Sequence, residues 1–153
     1  MSNWDMTDDS GVAVAMLVLG AATQVIDGIQ HGLAERGFAD VRPAHGFAFV
    51  RISAGDASMT DVADHLGVTK QAASQLVEQL VQRGYVIREA DPGDARSRIL
   101  KLTERGWACT RAAEQAAADT TDAWRRQLGT AAMSALQSAL QAVVPPGRLR
   151  PAW

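Results

Sequence analysis

Residues 60–102 restrict this chain's fold more than any other stretch, because two short helical patterns are followed at once by two strand patterns around strong turn chemistry. Thr60 reads as the N-cap of a helix through Leu66, with Val62, Ala63 and Leu66 on its apolar side, and Gly67 ends it in a tight turn. Thr69 caps the next helix. There Ala73, Leu76, Val77 and Leu80 fall at i, i+3, i+4 and i+7 and make one buried stripe. Gly84 stops that helix, and Tyr85 to Glu89 has strand character. Asp91-Pro92-Gly93-Asp94 is a turn by its residue types, and Arg98 to Leu102 forms the returning strand.

A two-helix unit turned at a glycine and followed by a hairpin has the parts of a winged helix-turn-helix, whose second helix enters the major groove of DNA. The expected fold is mainly α with a small β-hairpin wing. Opposite the buried stripe of the second helix stand Thr69, Lys70, Gln71, Ser74 and Gln75, small or unbranched groups able to reach base edges and phosphates. Gln pairs bidentately with adenine and Lys reaches guanine or phosphate, each good bidentate contact being worth about 1–3 kcal/mol of discrimination. Glu78 lies further along the helix, where phosphate would repel it unless it faces cytosine or solvent.

The flanks are helical. From Ser10 to Arg36 the apolar residues Val12, Met16, Leu19, Val25, Ile26, Ile29 and Leu33 recur at helical spacing, with Gly37 as terminator. The first half of this helix is apolar nearly all round, so it is either covered on its second face by a partner subunit or is an ordinary core helix. Arg42-Pro43 opens a helix through Ser53 with Phe47, Val50 and Ile52 inward, and residues 54–58 form a loop. Thr103 caps a long alanine-rich helix to about Gln127. Gly129 breaks it, and Thr130 caps a last helix with Met133, Leu136, Leu140 and Val143 on one face. The organisation expected is one unit over 1–153, with helical segments 10–40 and 103–144 around a winged region 43–102, and a tail at 145–153.

Overall charge does not announce a nucleic-acid partner, since 15 basic and 17 acidic side chains leave a formal net charge of −2. Between Thr60 and Glu104 there are six bases (Lys70, Arg83, Arg88, Arg96, Arg98, Lys101) and seven acids (Asp61, Asp64, Glu78, Glu89, Asp91, Asp94, Glu104). A DNA-binding surface must therefore be a local patch. Cys109 is the single cysteine, so no intramolecular disulfide forms, in keeping with a reducing compartment. The apolar run Gly11 to Ala22 is short of the ~20 residues a spanning helix needs. It follows the acids Asp5, Asp8 and Asp9 rather than the positive charge of a secretory signal, so a cytoplasmic protein with no membrane partner is expected.

The run from Met59 to Gly106, and above all DPGDARSRILKLTERG, resembles the winged-helix core of the MarR family of transcriptional regulators. The resemblance implies that Arg96 reaches into the minor groove while Asp94 helps hold the wing, and that Leu102, Thr103 and Gly106 mark the junction of wing and helix. Ala95 departs from the arginine found in many members, and Arg98 is the candidate to replace it. The order of flanking helices matches as well, and implies a homodimer whose terminal helices interleave. The function implied is sequence-specific regulation, as a repressor, on a pseudo-palindromic operator in double-stranded DNA. It further implies a small aromatic or phenolic effector between the dimerisation helices and the winged region, where His45, Phe49, Arg51, Trp107 and Thr110 are the candidates, each with a plain core role as the alternative.

Cys109 reads either as a redox sensor or as a buried thiol; sensing needs an exposed thiolate of low pKa. His31, His45 and His65 show no ligand spacing with one another or with Cys109, so no metal and no cofactor is expected. No nucleophile stands at motif spacing from a base, and no glycine-rich phosphate loop is present, so no catalytic residue is expected. The competing function is a winged-helix protein-interaction module, which the near-neutral charge leaves open.

Overall fold

The computed structural model describes residues 11–146 and 149; the acidic flank with Asp5, Asp8 and Asp9, and the tail residues Arg148, Arg150 and Trp153, lie outside them. Six helices and one hairpin follow in order: α1 (Gly11–Glu35), α2 (Pro43–Ser53), α3 (Met59–Leu66), α4 (Lys70–Gln82), β1 (Val86–Asp91), β2 (Asp94–Leu102), α5 (Glu104–Leu128) and α6 (Thr130–Val143). The strands pair antiparallel from Val86↔Leu102 to Ala90↔Arg98 and close at Asp91↔Asp94. Residues 54–58, read as loop from the sequence, contribute a further bridge, because the Ala57 carbonyl accepts the Leu100 N–H at 2.8 Å.

One apolar core lies under the winged unit, built from Phe49 and Ile52 of α2, Val62 and Leu66 of α3, Val77 and Leu80 of α4, Leu100 of β2 and Cys109 of α5. Its α2 contribution differs from the sequence expectation. His45, Ala48, Phe49 and Ile52 are the buried residues, Phe47 is half-buried and Val50 is exposed. The helical stripe runs through His45, an effector-pocket candidate from the sequence whose alternative was this core role.

Two caps also move. Ser58, not Thr60, begins α3: its Oγ accepts the Asp61 N–H at 3.1 Å while the Asp61 carboxylate accepts the Ser58 N–H at 2.8 Å. Asp61 stands three residues after Ser58, which is what this reciprocal cap requires, and Thr60 lies inside the first turn. Gly129, with φ 85°, rather than Thr130, precedes α6. Gly67 ends α3 in the left-handed region at φ 68°, as the turn between the two helices demands.

The two long helices α1 and α5 pack along each other through small residues. A Cβ on Gly28 would run into Thr120, and one on Gly32 into Ala116, so the backbones approach as closely as they do only because both are glycine. Arg36 pairs with Asp119 at 3.2 Å, and Trp124 Nε1 donates to Gln24 Oε1 at 3.2 Å along the same seam. The other end of α1 is largely bare: Ala13 is buried, but Val12, Val14, Leu17, Val18 and Leu19 are each 50–57% exposed. On α6, Leu136, Leu140 and Val143 are exposed too, and Met133 alone is buried. By length and composition α1 would also cross a membrane, with a mean hydropathy of 1.9 over its most apolar window.

Candidate nucleic-acid interface and adjoining cavity

The α4 helix presents Lys70, Gln71 and Gln75 to solvent, with Ser74 half-buried beside them, and roots Ala73, Val77 and Leu80 in the core. Thr69 Oγ1 accepts the Ala72 N–H at 3.1 Å, satisfying one of the open donors of the first turn while its own hydroxyl proton stays available.

At the wing tip both aspartates bind backbone. Asp91 Oδ1 accepts the Gly93 N–H at 2.8 Å, and Asp94 Oδ1 accepts the Arg96 N–H at 3.0 Å. Between the paired positions Asp94 and Arg98, residues 95–97 have no partner on β1, so Arg96 sits at the centre of a bulge and Arg98 just after it. Bulges re-aim side chains, and the Asp94 bond holds this one in shape. The returning strand thus begins at Asp94, earlier than the Arg98 expected, and carries both arginines.

Pairing sorts the charges. Glu78 Oε2 receives Arg88 at 2.8 Å, and this bond and charge hold its carboxyl below the usual range. Lys101 meets Glu89 at 3.0 Å, and Arg83 donates to the Asp40 carbonyl. Lys70, Arg96 and Arg98 are left as the bases of the unit whose side chains have no hydrogen-bond or ion-pair partner, backbone or side chain, among the described residues. The Glu78 that threatened repulsion is neutralised from the wing, a partnership ten residues away that no helical pattern reveals.

Two supporting networks escaped the sequence reading. Tyr85 donates to Asp40 Oδ1 at 2.6 Å and receives Arg105 at 3.0 Å, while the Arg105 guanidinium lies 4.6 Å from the Tyr85 ring centre. Burial, then the Asp40 bond, push the Tyr85 hydroxyl up to about 12, so it stays a donor. At the base of the wing, Thr103 Oγ1 accepts the Gly106 N–H at 3.1 Å and donates to the Gly84 carbonyl at 2.6 Å. One hydroxyl starts α5 and ties it to the end of α4.

His45 links α2 to α4. Its Nδ1 accepts the Arg42 N–H at 2.9 Å, which leaves the proton on Nε2 to be donated to Gln79 Oε1 at 3.1 Å. Burial holds the imidazole below its usual range; the Gln79 bond opposes this, and Arg83 and Arg42 reinforce it more than Asp40 offsets it. The folded chain therefore binds this proton more weakly than the unfolded chain does. The resulting stability is complete above about pH 6.5 and is lost as pH falls below it, by at most about 1.4 kcal/mol per pH unit for one proton. Urea melts between pH 7 and 5 should show a steeper loss for the wild-type chain than for His45→Gln; equal slopes would refute the assignment.

Beside this unit, α1, α2 and α5 line a half-open cavity of about 370 Å³. Phe49 and Thr110 line it, whereas His45, Arg51 and Trp107 do not. Arg51 turns to the Gly55 and Asp56 carbonyls and to Asp61, and Trp107 is 43% exposed. Residues that sequence reasoning missed, Phe47 and Glu114 among them, complete the wall. Cys109 is in the wall too; burial pushes its thiol up to about 11, the opposite of what a redox sensor needs. Among the described residues no three His, Cys, Asp or Glu side chains gather to hold a metal.

A sequence profile described as the MarR family matches residues 39–97. Among solved structures, the chain is similar to the reduced form of MarR from E. coli, with a TM-score of 0.72 and 22% identity over 86% of this chain and 96% of that one. It is similar to the transcriptional repressor CouR bound to a 23-mer DNA duplex, with a TM-score of 0.65 and 26% identity over 83% and 89% of the two chains. CouR from Rhodococcus jostii RHA1 bound to p-coumaroyl-CoA gives a TM-score of 0.68 and 20% identity over 95% and 99%. No curated protein sequence matches the chain.

Proposed function

We propose that the chain is a winged-helix transcription regulator of the MarR family, whose profile matches residues 39–97, a DNA-binding protein rather than an enzyme, and that it acts in the cytoplasm as a homodimeric repressor released by a small effector. The observation that carries the DNA reading is the sorting of charge: Lys70, Arg96 and Arg98 stand unpaired on α4 and the wing while the other bases of the unit have partners. The near-neutral total, which left a protein-docking module open, is accounted for by that pairing. In this reading α4 enters the major groove, with Thr69, Lys70, Gln71, Ser74 and Gln75 facing DNA. The wing sets Arg96 in the flanking minor groove, Asp94 fixing its backbone and Arg98 meeting phosphate.

Segments 10–40 and 103–144 serve as the dimerisation helices, and a second copy covers the bare half of α1. Support comes from that exposed apolar surface and from the packing of its other half on α5. The cavity is the effector site. It touches α1, α2 and α5 and lies one residue from His45, whose Nε2 bond reaches α4, so a ligand that shifts α2 bears on the reading helix.

The test is selection of bound duplexes from a random pool at about physiological salt, where specific and non-specific binding separate. The wild-type chain should enrich an inverted repeat with half-sites about one turn, roughly 34–36 Å, apart. Arg96→Ala should bind the same repeat at least about 100-fold more weakly, since a dimer loses two charge-assisted contacts of about 1.5–3 kcal/mol each. No enriched repeat, or an unchanged affinity for Arg96→Ala, would overturn the reading.

A further inference from the structure

Resting on the effector reading of the cavity, we propose that its ligand is an apolar molecule without negative charge, held best when one end carries a protonated amine directed at Glu114. The walls supplied by Ile29, Leu33, Phe47 and Phe49 are apolar, and the volume of about 370 Å³ admits a two-ring aromatic body. Among the described residues the lining holds no lysine, arginine or histidine, and its one carboxylate is Glu114.

The two cationic candidates that would anchor an acidic aromatic are engaged elsewhere. Arg51 is bound to backbone carbonyls and Asp61, and the His45 ring nitrogens are taken by Arg42 and Gln79. An anion entering here would lose hydration with no counter-charge among the described lining residues, and would meet repulsion from Glu114 besides. Cys109 does not help it, for the thiol is neutral, and the negative field of Asp40 reaches it more strongly than the positive field of Arg105. A cation gains what the anion loses. Glu114 forms no ion pair among the described residues and stands at the exposed side of the lining, with Thr110 one helical turn before it on α5.

Three probes of one shape separate charge from size: 1-naphthylmethylamine, 1-naphthalenemethanol and 1-naphthoate. They would be titrated calorimetrically into the full 153-residue chain. Affinity should fall in the order amine, alcohol, carboxylate, with about tenfold or more between the first and last, as expected for a partly screened charge pair. Glu114→Gln should abolish the amine's advantage over the alcohol and leave the alcohol within twofold. Naphthoate binding as tightly as the amine, or a charge order that survives Glu114→Gln, overturns the proposal while leaving the effector site standing. Failure of all three probes to bind overturns the effector reading itself, and the proposal with it.

Discussion

A chain carrying Leu17→Asp and Val18→Asp should elute as a monomer and bind the operator at least a thousandfold more weakly than the wild type. Both side chains lie in the bare half of α1, at 51% and 50% exposure, and the neighbouring Val14 and Leu19 extend the same surface. In the single chain a carboxylate there stays in water and costs little. Between two copies it is stripped of water against apolar neighbours, at a cost of several kcal/mol per charge. Four such charges, two from each subunit, exceed what an apolar helix interface returns.

The DNA effect follows from geometry. A dimer engages two half-sites with one loss of translational freedom, and a monomer must hold one half-site alone. With specific affinities of about 10⁻⁸–10⁻¹¹ M, surrendering half of the contacts removes about 5–7 kcal/mol, more than the 4.1 kcal/mol that corresponds to a thousandfold. Circular dichroism separates this from misfolding, since the helical signal should persist in the variant. A variant that remains dimeric would show that the second copy docks elsewhere.

The second large effect is on stability. Gly106→Ala should destabilise the chain by about 3 kcal/mol or more, against a total of about 5–15 kcal/mol for a domain of this kind. Gly106 is fully packed in the first turn of α5, and a Cβ there would run into the Tyr85 carbonyl oxygen and crowd Leu102. That carbonyl also accepts the Thr103 N–H at 3.0 Å, next to the Thr103 hydroxyl bond to Gly84, so it cannot retreat without breaking the junction of wing and helix. Gly46→Ala is the matched control: no atom stands within 4 Å of its added Cβ, and removing a glycine from a helix gains up to about 1 kcal/mol. Denaturant midpoints should move in opposite directions for the two variants. A Gly106→Ala chain as stable as the wild type would mean that the approach of α5 to Tyr85 is not a constraint.

The Leu-Thr-x-x-Gly pattern was legible as a junction, and the structure supplies its chemistry: leucine for the core, threonine for two hydrogen bonds, glycine for contact with a backbone oxygen. In the same way the α4 stripe and the Asp-Pro-Gly-Asp turn follow from preferences that act within one helical turn or one hairpin. The Thr69 and Thr103 caps have the same basis. Where local rules competed, the sequence reading slipped. Two hydroxyl residues stood near the start of α3, and only the acid three positions after Ser58 decides between them.

The order of helices and strands, the buried side of α4 and the polar side opposite it were thus determined by the sequence alone, because each rests on interactions between residues about four apart or across a short turn. The tertiary structure decided the rest. It matched Glu78 with Arg88, carried His45 into the core against Gln79, turned Arg51 away from the cavity and brought Glu114 to its edge. Those outcomes depend on how whole elements dock. A side chain's pattern on its own helix shows which way it faces, and nothing about which residue of a distant element will meet it there.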